Sequence, residues 1–358
     1  MPSLKEIKGR INSISSTLAI TSAMKMVASA KLQKAQMAIQ NMLPYERRLY
    51  SMLVDLMGAM NISAAASEDG SVRGSGSAER GFDQSGDRLS LSNRHDLAGM
   101  DGAYSLMAQR EVRKVAIVAF ASNSSLCGAF NSNVIREATA VINEYRASGL
   151  GDADITVYSV GRKMAEAMKK LGFPSPADFT KMSDSPSYDA ASALAQELFD
   201  GFVSGRFDKV ELVYNHYKST SSQPTTRQTY LPLSLADAIA DLQAGKIADS
   251  ASESDTNRGA EPVGAPVVRQ GSPTTEDLIV EPSKEELIAT LLPKVVRLRV
   301  FTTLLDSTAA EHAARTVAMQ LATDSGNDLL QELTLEYNKG RQQKITSEIL
   351  DLVGGSMQ

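Results

Sequence analysis

The residue types able to do chemistry are few in this chain and badly spaced for it. The three histidines, His95, His216 and His312, lie far apart, and with the lone Cys127 they form no group with transition-metal spacing. No phosphate loop of the Walker type and no dinucleotide fingerprint follows the first predicted strand, which disfavours a nucleotide-binding enzyme. The one suggestive segment is Ser122-Asn-Ser-Ser-Leu-Cys-Gly128, at the carboxyl end of that strand, where α/β folds often bind ligands. It reads better as a turn feeding a helix, because Cys127 has no His or other base close in sequence to activate it. His312 falls on a helix seam and reads as a packed polar residue. No cofactor is expected.

The elements that would position such residues are more informative. From Ser283 to Gln358 the chain has a single proline, Pro293, and apolar residues at helical spacing. One very long helix follows, of which the part after Pro293 alone would span about 95 Å. Such a helix needs a partner, and Ser3 to about Met60, again with one proline at Pro44, supplies it. Ile7, Ile11, Ile14 and Leu18 alternate steps of four and three, continued by Thr21, Lys25, Ala28, Leu32, Ala35 and Ile39. Val295, Leu298, Thr302, Leu305, Ala309, His312, Thr316 and Met319 repeat the pattern at the other end. Ser3 with Glu6 and Ser283 with Glu286 read as capping boxes at the two helix starts. Gly326 and Gly340, each costing roughly 1 kcal/mol against alanine in a helix, suggest close approach of a neighbour.

Between the helices the pattern alternates. Val112 to Ser122, Ile155 to Val160 and Val210 to Tyr217 read as strands; a helix from Asn131, then Arg162 to Leu171 and Tyr188 to Val203, read as helices. Thr225 to Leu231 is expected as an antiparallel edge. The fold class is therefore α/β: a long antiparallel coiled coil of the N- and C-terminal helices plus a central Rossmann-like α/β domain. The expected organisation is a shaft helix over 1–60, a low-complexity insertion over 61–110, an α/β foot over 111–240, a second insertion with a short strand over 241–280, and a shaft helix over 281–358. The stretches Ser63 to Ala108 and Asp241 to Glu276 are rich in Gly, Ser and Asp or Pro and read as surface loops or disordered insertions.

At 358 residues with 42% hydrophobic content the chain can bury a real core, and the net charge of −5 argues against general nucleic-acid binding. The first helix is nonetheless basic, with Lys5, Lys8, Arg10, Lys25, Lys31, Lys34, Arg47 and Arg48 against Glu6 and Glu46, as a helix seeking an acidic partner would be. The charged first ten residues are no secretory segment, and one cysteine forbids an internal disulfide. From composition and pattern alone, a coiled-coil scaffold with an α/β ligand-binding head is an alternative, and a hydrolase using Cys127 a more distant one.

Longer matches lie at the ends: Ile7-Lys-Gly-Arg-Ile11 and Ile20-Thr-Ser-Ala-Met-Lys-Met-Val-Ala28, then Ala313-Ala-Arg-Thr-Val-Ala-Met319, Ala322-Thr-Asp-Ser-Gly326, Tyr337-Asn-Lys-Gly-Arg-Gln-Gln-Lys-Ile-Thr-Ser-Glu-Ile349 and Val353-Gly-Gly355. With Leu126-Cys-Gly128, these segments resemble the gamma subunit of the F-type ATP synthase, of bacterial type. The family usually carries Asp-Arg-Gly before Leu-Cys-Gly, where this chain has Asn123, Ser124 and Ser125, so any role of that arginine is absent. The resemblance implies a non-catalytic rotor stalk inside a ring of alternating alpha and beta subunits, its foot on the membrane c-ring beside the epsilon subunit. It implies a peripheral position on the cytoplasmic side of the bacterial inner membrane, and torque transfer that couples proton flow to ATP synthesis in the beta subunits. By the same resemblance Met24, Lys25, Arg315, Arg341, Gln342, Thr346 and Glu348 match shaft contacts to the catalytic subunits. Tyr214, Asn215, His216 and Tyr217 match the foot.

Overall fold

A computed structural model describes residues 3–59, 106, 109–233, 281 and 284–356. The two predicted insertions and the cap at Ser283 lie outside these residues, apart from Gln109, Arg110 and Leu106, the last fully buried and accepting a backbone hydrogen bond from Leu233. The end helices are α1 (Leu4–Ala59) and α6 (Lys284–Ser356). Both run through their internal prolines without a break, as the reading of one long helix from Ser283 expects, and the 73 residues of α6 span about 110 Å. Each proline forfeits one backbone bond, and the packing of the surrounding turns holds the helix on either side. At the start of α1 the Ser3 hydroxyl accepts from the Glu6 N–H at 3.2 Å, half of the expected capping box.

The head is built from β1 (Val115–Phe120), α2 (Phe130–Ala147), β2 (Ile155–Val160), α3 (Arg162–Lys170), α4 (Thr180–Asp184), α5 (Tyr188–Val203), β3 (Lys209–Asn215) and β4 (Thr225–Leu231). The short helix α4 is absent from the sequence reading. Strand order is β2-β1-β3-β4, parallel except for β4, which runs antiparallel to β3. Continuous burial of β1, a run of six apolar residues, marks a central parallel strand covered on both faces. On one face Ile117, Ala119, Val157 and Val213 meet α2 and α3 through Val134, Val141, Ile142, Met164 and Met168. On the other, Val118, Phe120, Tyr158, Val160 and Leu212 meet α5 and the base of the coil, through Leu194, Leu198 and Phe202, Leu49 and Leu53, and Ile288, Leu292 and Val296. One core thus joins the head to the lower ends of both long helices.

A buried charge stands within the sheet. Glu211, whose side chain is 2% exposed, receives Arg227 Nε at 2.7 Å, Lys209 Nζ at 2.7 Å and the Tyr145 hydroxyl at 2.7 Å. Arg227 also pairs with Glu144. Burial pushes the Glu211 carboxyl up, but the hydrogen bonds from Arg227, Lys209 and Tyr145 outweigh it and hold the group below its ordinary value.

Candidate functional site

The shaft is the candidate site, and its seam is longer than the residues first assigned to it. Every predicted seam position of α1 from Ile7 to Ile39 is buried or half-buried. On α6 the same steps of four and three continue past Met319 through Thr323, Gly326, Leu330, Leu333, Tyr337 and Gly340, none of them fully exposed. The helices run antiparallel, as Thr323 Oγ1 donating to Thr21 Oγ1 at 3.1 Å, Gly326 beside Leu18 and Gly340 beside Leu4 require. The glycines allow this approach: a Cβ at Gly340 would lie 3.1 Å from Leu4 Cδ2.

Past Gly340, α6 continues beyond the start of α1. All residues from 341 to 350 are exposed, including Ile345 and Ile349. Arg341, Gln342, Thr346 and Glu348 all stand on this unaccompanied tip; Thr346 Oγ1 bonds back to Gln342 O at 2.9 Å, and Lys344 pairs loosely with Glu348 at 3.7 Å. Met24 and Lys25 are half-buried at the edge of the α1 seam. The exposed faces differ in charge. Lys5, Lys8 and Arg10 project from α1, Arg10 paired with Glu6, whereas Asp324, Asp328, Glu332 and Glu336, four apart, line the exposed side of α6 opposite residues 8–20 of α1.

Where the coil leaves the head, the remaining predicted residues are engaged within the chain. Asn215 is buried, donating to Phe130 O at 3.0 Å and accepting from Thr225 Oγ1 at 2.7 Å. Tyr214 is half-buried against the main core. His216 Nδ1 lies 2.6 Å from Asp306 Oδ2, and that bond raises the imidazole pKa against the opposing effect of burial. The Tyr217 N–H donates to Asp306 Oδ1 at 2.9 Å, and its hydroxyl accepts from Gln36 Nε2 at 2.6 Å. Arg315, 8% exposed, binds Glu311 Oε1 at 2.7 Å and Ser124 Oγ at 2.6 Å. The bond from Arg315 to Ser124 thus ties the shaft to the head. Burial drives His312 down to about 4, helped by Arg315 and Lys31, so it is neutral at neutral pH. Burial also raises Glu311 despite Arg315.

The segment after β1 is the turn that the sequence allowed. Leu126 holds φ at 68°, in the left-handed region that a non-glycine residue enters at a cost. Cys127 is buried against Phe130 and Ala310, with Asn131 Nδ2 3.1 Å from its sulfur. Gly128 sits beside Ala318, where a Cβ would be 3.7 Å away. The carboxyl end of β1 is the topological switch point, since its neighbours β2 and β3 lie on opposite sides. In this chain α6 packs there. Gln36 and Asp306 were not picked out from sequence, and Ser124 was not as a partner of the shaft; their partners are remote in the chain, and no local pattern announces them. Among the described residues no helix is long and apolar enough to cross a membrane.

A two-helix shaft with an α/β head fixed at one end and a bare helical tip at the other defines a central-stalk class of protein. The chain matches the ATP synthase family over residues 3–357. It is 47% identical over 357 residues to the ATP synthase gamma chain of Phocaeicola vulgatus, covering 100% of both chains. It is 45% identical over 358 residues to that of Bacteroides thetaiotaomicron, again with 100% of both covered. A chain in the Euglena gracilis mitochondrial ATP synthase shares the fold at a TM-score of 0.52 and 18% identity, over 99% of this chain and 93% of that one. The chain belongs to the ATP synthase gamma chain family.

Proposed function

We propose that this chain turns as the central shaft of a proton-translocating F-type ATP synthase, its coil inside the ring of alpha and beta subunits and its head towards the c-ring and epsilon subunit. It is a non-catalytic subunit; ATP is made or hydrolysed in the beta subunits. The observation that carries the reading is the long antiparallel coil whose head sits at one end and whose α6 tip extends unaccompanied past Leu4 at the other.

The two sides of the coil differ, basic on α1 and acidic on α6, so each catalytic subunit meets a different surface as the shaft turns. A ligand equilibrium shifts only through such differential contact, and the shaft thereby favours a different nucleotide affinity in each subunit. Met24 and Lys25 face the acidic lever loop of the catalytic subunits, and Arg341, Gln342, Thr346 and Glu348 meet the upper part of the ring. Arg315, held by Glu311 and Ser124, acts at the lower rim, where it keeps the shaft surface in place for those subunits. Tyr214, Asn215, His216 and Tyr217 belong to the foot and fix its orientation on the shaft, with Lys218 to Thr220 exposed beside them for the neighbouring subunits. The protein is peripheral to the membrane as part of the complex, on the cytoplasmic side of a bacterial inner membrane. Gentle purification of the tagged chain from its host's membranes tests this: alpha, beta and epsilon subunits copurifying with ATPase activity support it, and a chain that emerges alone contradicts it.

A further inference from the structure

The coil leaves the head through a collar of directed polar bonds. Below it, both helices are set into the main core, through Leu298, Val300 and Leu304 on α6 and Leu49 and Leu53 on α1. Above it, the seam runs on as α1 against α6. At the collar itself the apolar contacts come largely from alanines, Ala309, Ala310 and Ala313, which offer small, smooth surfaces with little to interlock.

Tyr217 is the joint of the collar. Its N–H reaches Asp306 on α6, its hydroxyl accepts from Gln36 on α1, and its ring packs in both small clusters, beside Leu32 and Ala309 and beside Cys127 and Ala310. His216 gives Asp306 its second bond. Higher on α6, Arg315 is tied to the head through Ser124. Both shaft helices are therefore bonded to one end of the sheet, by groups whose hydrogen-bond geometry resists sliding and rotation.

We infer that the collar is a torsional clamp, with Tyr217 and Ser124 as positioning residues that set the level at which the free coil begins to twist under load. The inference rests on the rotor reading. A two-helix coil behaves as a compliant rod whose angular compliance grows with its free length. Clamped at Arg315, the free seam to Gly340 is about 25 residues long; released down to Asp306, which His216 and the Tyr217 N–H still hold, it is about 34, so compliance rises about 1.4-fold. Torque would then be delivered with a larger lag between head and tip.

The test uses the assembled complex of this chain with its alpha and beta subunits, the hexamer fixed to a surface and a bead attached to the head through Lys170→Cys, an exposed position. Thermal angular fluctuation of the bead is recorded with the hexamer nucleotide-locked. Tyr217→Phe combined with Ser124→Ala removes two polar ties while keeping the ring and the backbone; angular variance should rise about 1.4-fold, and by less in each single variant. Tyr188→Phe, away from the collar, should leave it unchanged. A merely structural role would lower the melting temperature without softening the rod. Rotation with unchanged variance in the double variant overturns the clamp alone; no ATP-driven rotation in the unaltered complex overturns the rotor reading and the clamp with it.

Discussion

Gly326 of α6 rests against Leu18 of α1 so closely that a Cβ at 326 would lie 2.6 Å from Leu18 Cδ2 and 3.1 Å from Cγ. The helices meet there because one of them has no side chain. Gly326→Leu should push them apart and cost roughly 1–3 kcal/mol, the usual range for overpacking. Leu18→Ala in the same chain should recover part of that loss. Gly9, with nothing within 4 Å of its missing Cβ, is the control: Gly9→Ala should raise stability by roughly 0.5–1 kcal/mol. Thermal unfolding of the purified variants reads all of these, and additive effects of Gly326→Leu and Leu18→Ala would show that the contact is not a coupled pair.

The charge cluster in the sheet predicts a second stability effect. Arg227→Met strips the two-point partner from a buried carboxylate and should cost about 3 kcal/mol, reduced by what Lys209 and Tyr145 still supply. Because the folded-state pKa of Glu211 is depressed, its stabilisation is present above the unfolded carboxylate pKa and is lost as pH falls through the folded value. Glu211→Gln should flatten that acid limb in a denaturant titration. An unchanged limb would place the acid sensitivity elsewhere.

The two collar histidines have opposite signs. His312, pushed down to about 4, is neutral when folded, so stability should fall as pH drops from about 6.5 towards 4; His312→Gln should remove this loss. His216 is raised by Asp306, so its contribution is full below the unfolded pKa and fades as pH climbs through the raised one; His216→Gln should remove that loss. Stability measured against pH in the two variants should diverge on opposite sides of the unfolded imidazole pKa. A shift on the same side in both would refute the assignment.

Met24 is half-buried beside Lys25 at the edge of the seam. Met24→Lys adds a cation where the acidic lever loop of a catalytic subunit is proposed to pass, so the shaft should bind that loop too tightly and protons pumped per ATP should fall. Membrane vesicles measure this directly, and an unaltered ratio would remove Met24 from the contact.

Much of this architecture is legible in the order of residues. The heptad steps located both halves of the shaft, and the bounds read for Tyr188–Val203 and Thr225–Leu231 are those observed. Beyond Met319 the close approach at Gly326 and Gly340 was legible from the glycines, whereas Thr323, Leu330, Leu333 and Tyr337 were not placed on the seam, because the small residues between them interrupt the apolar stripe. Glu211 sits in a strand that reads as apolar, and its partners Arg227 and Tyr145 come from other elements. Tyr217 and Asp306 are 89 positions apart, and neither has a neighbour in sequence that announces the bond. Likewise Leu106, in a segment rich in polar residues, reaches the core only because the fold brings Leu233 to it.

The most direct measurement is to fix the alpha-beta hexamer to a surface, attach a visible probe to the head of this chain and add ATP. Sustained rotation of the probe in one direction, at a rate that follows ATP concentration, is the predicted result. A probe that stays bound while the complex hydrolyses ATP without turning would contradict the account.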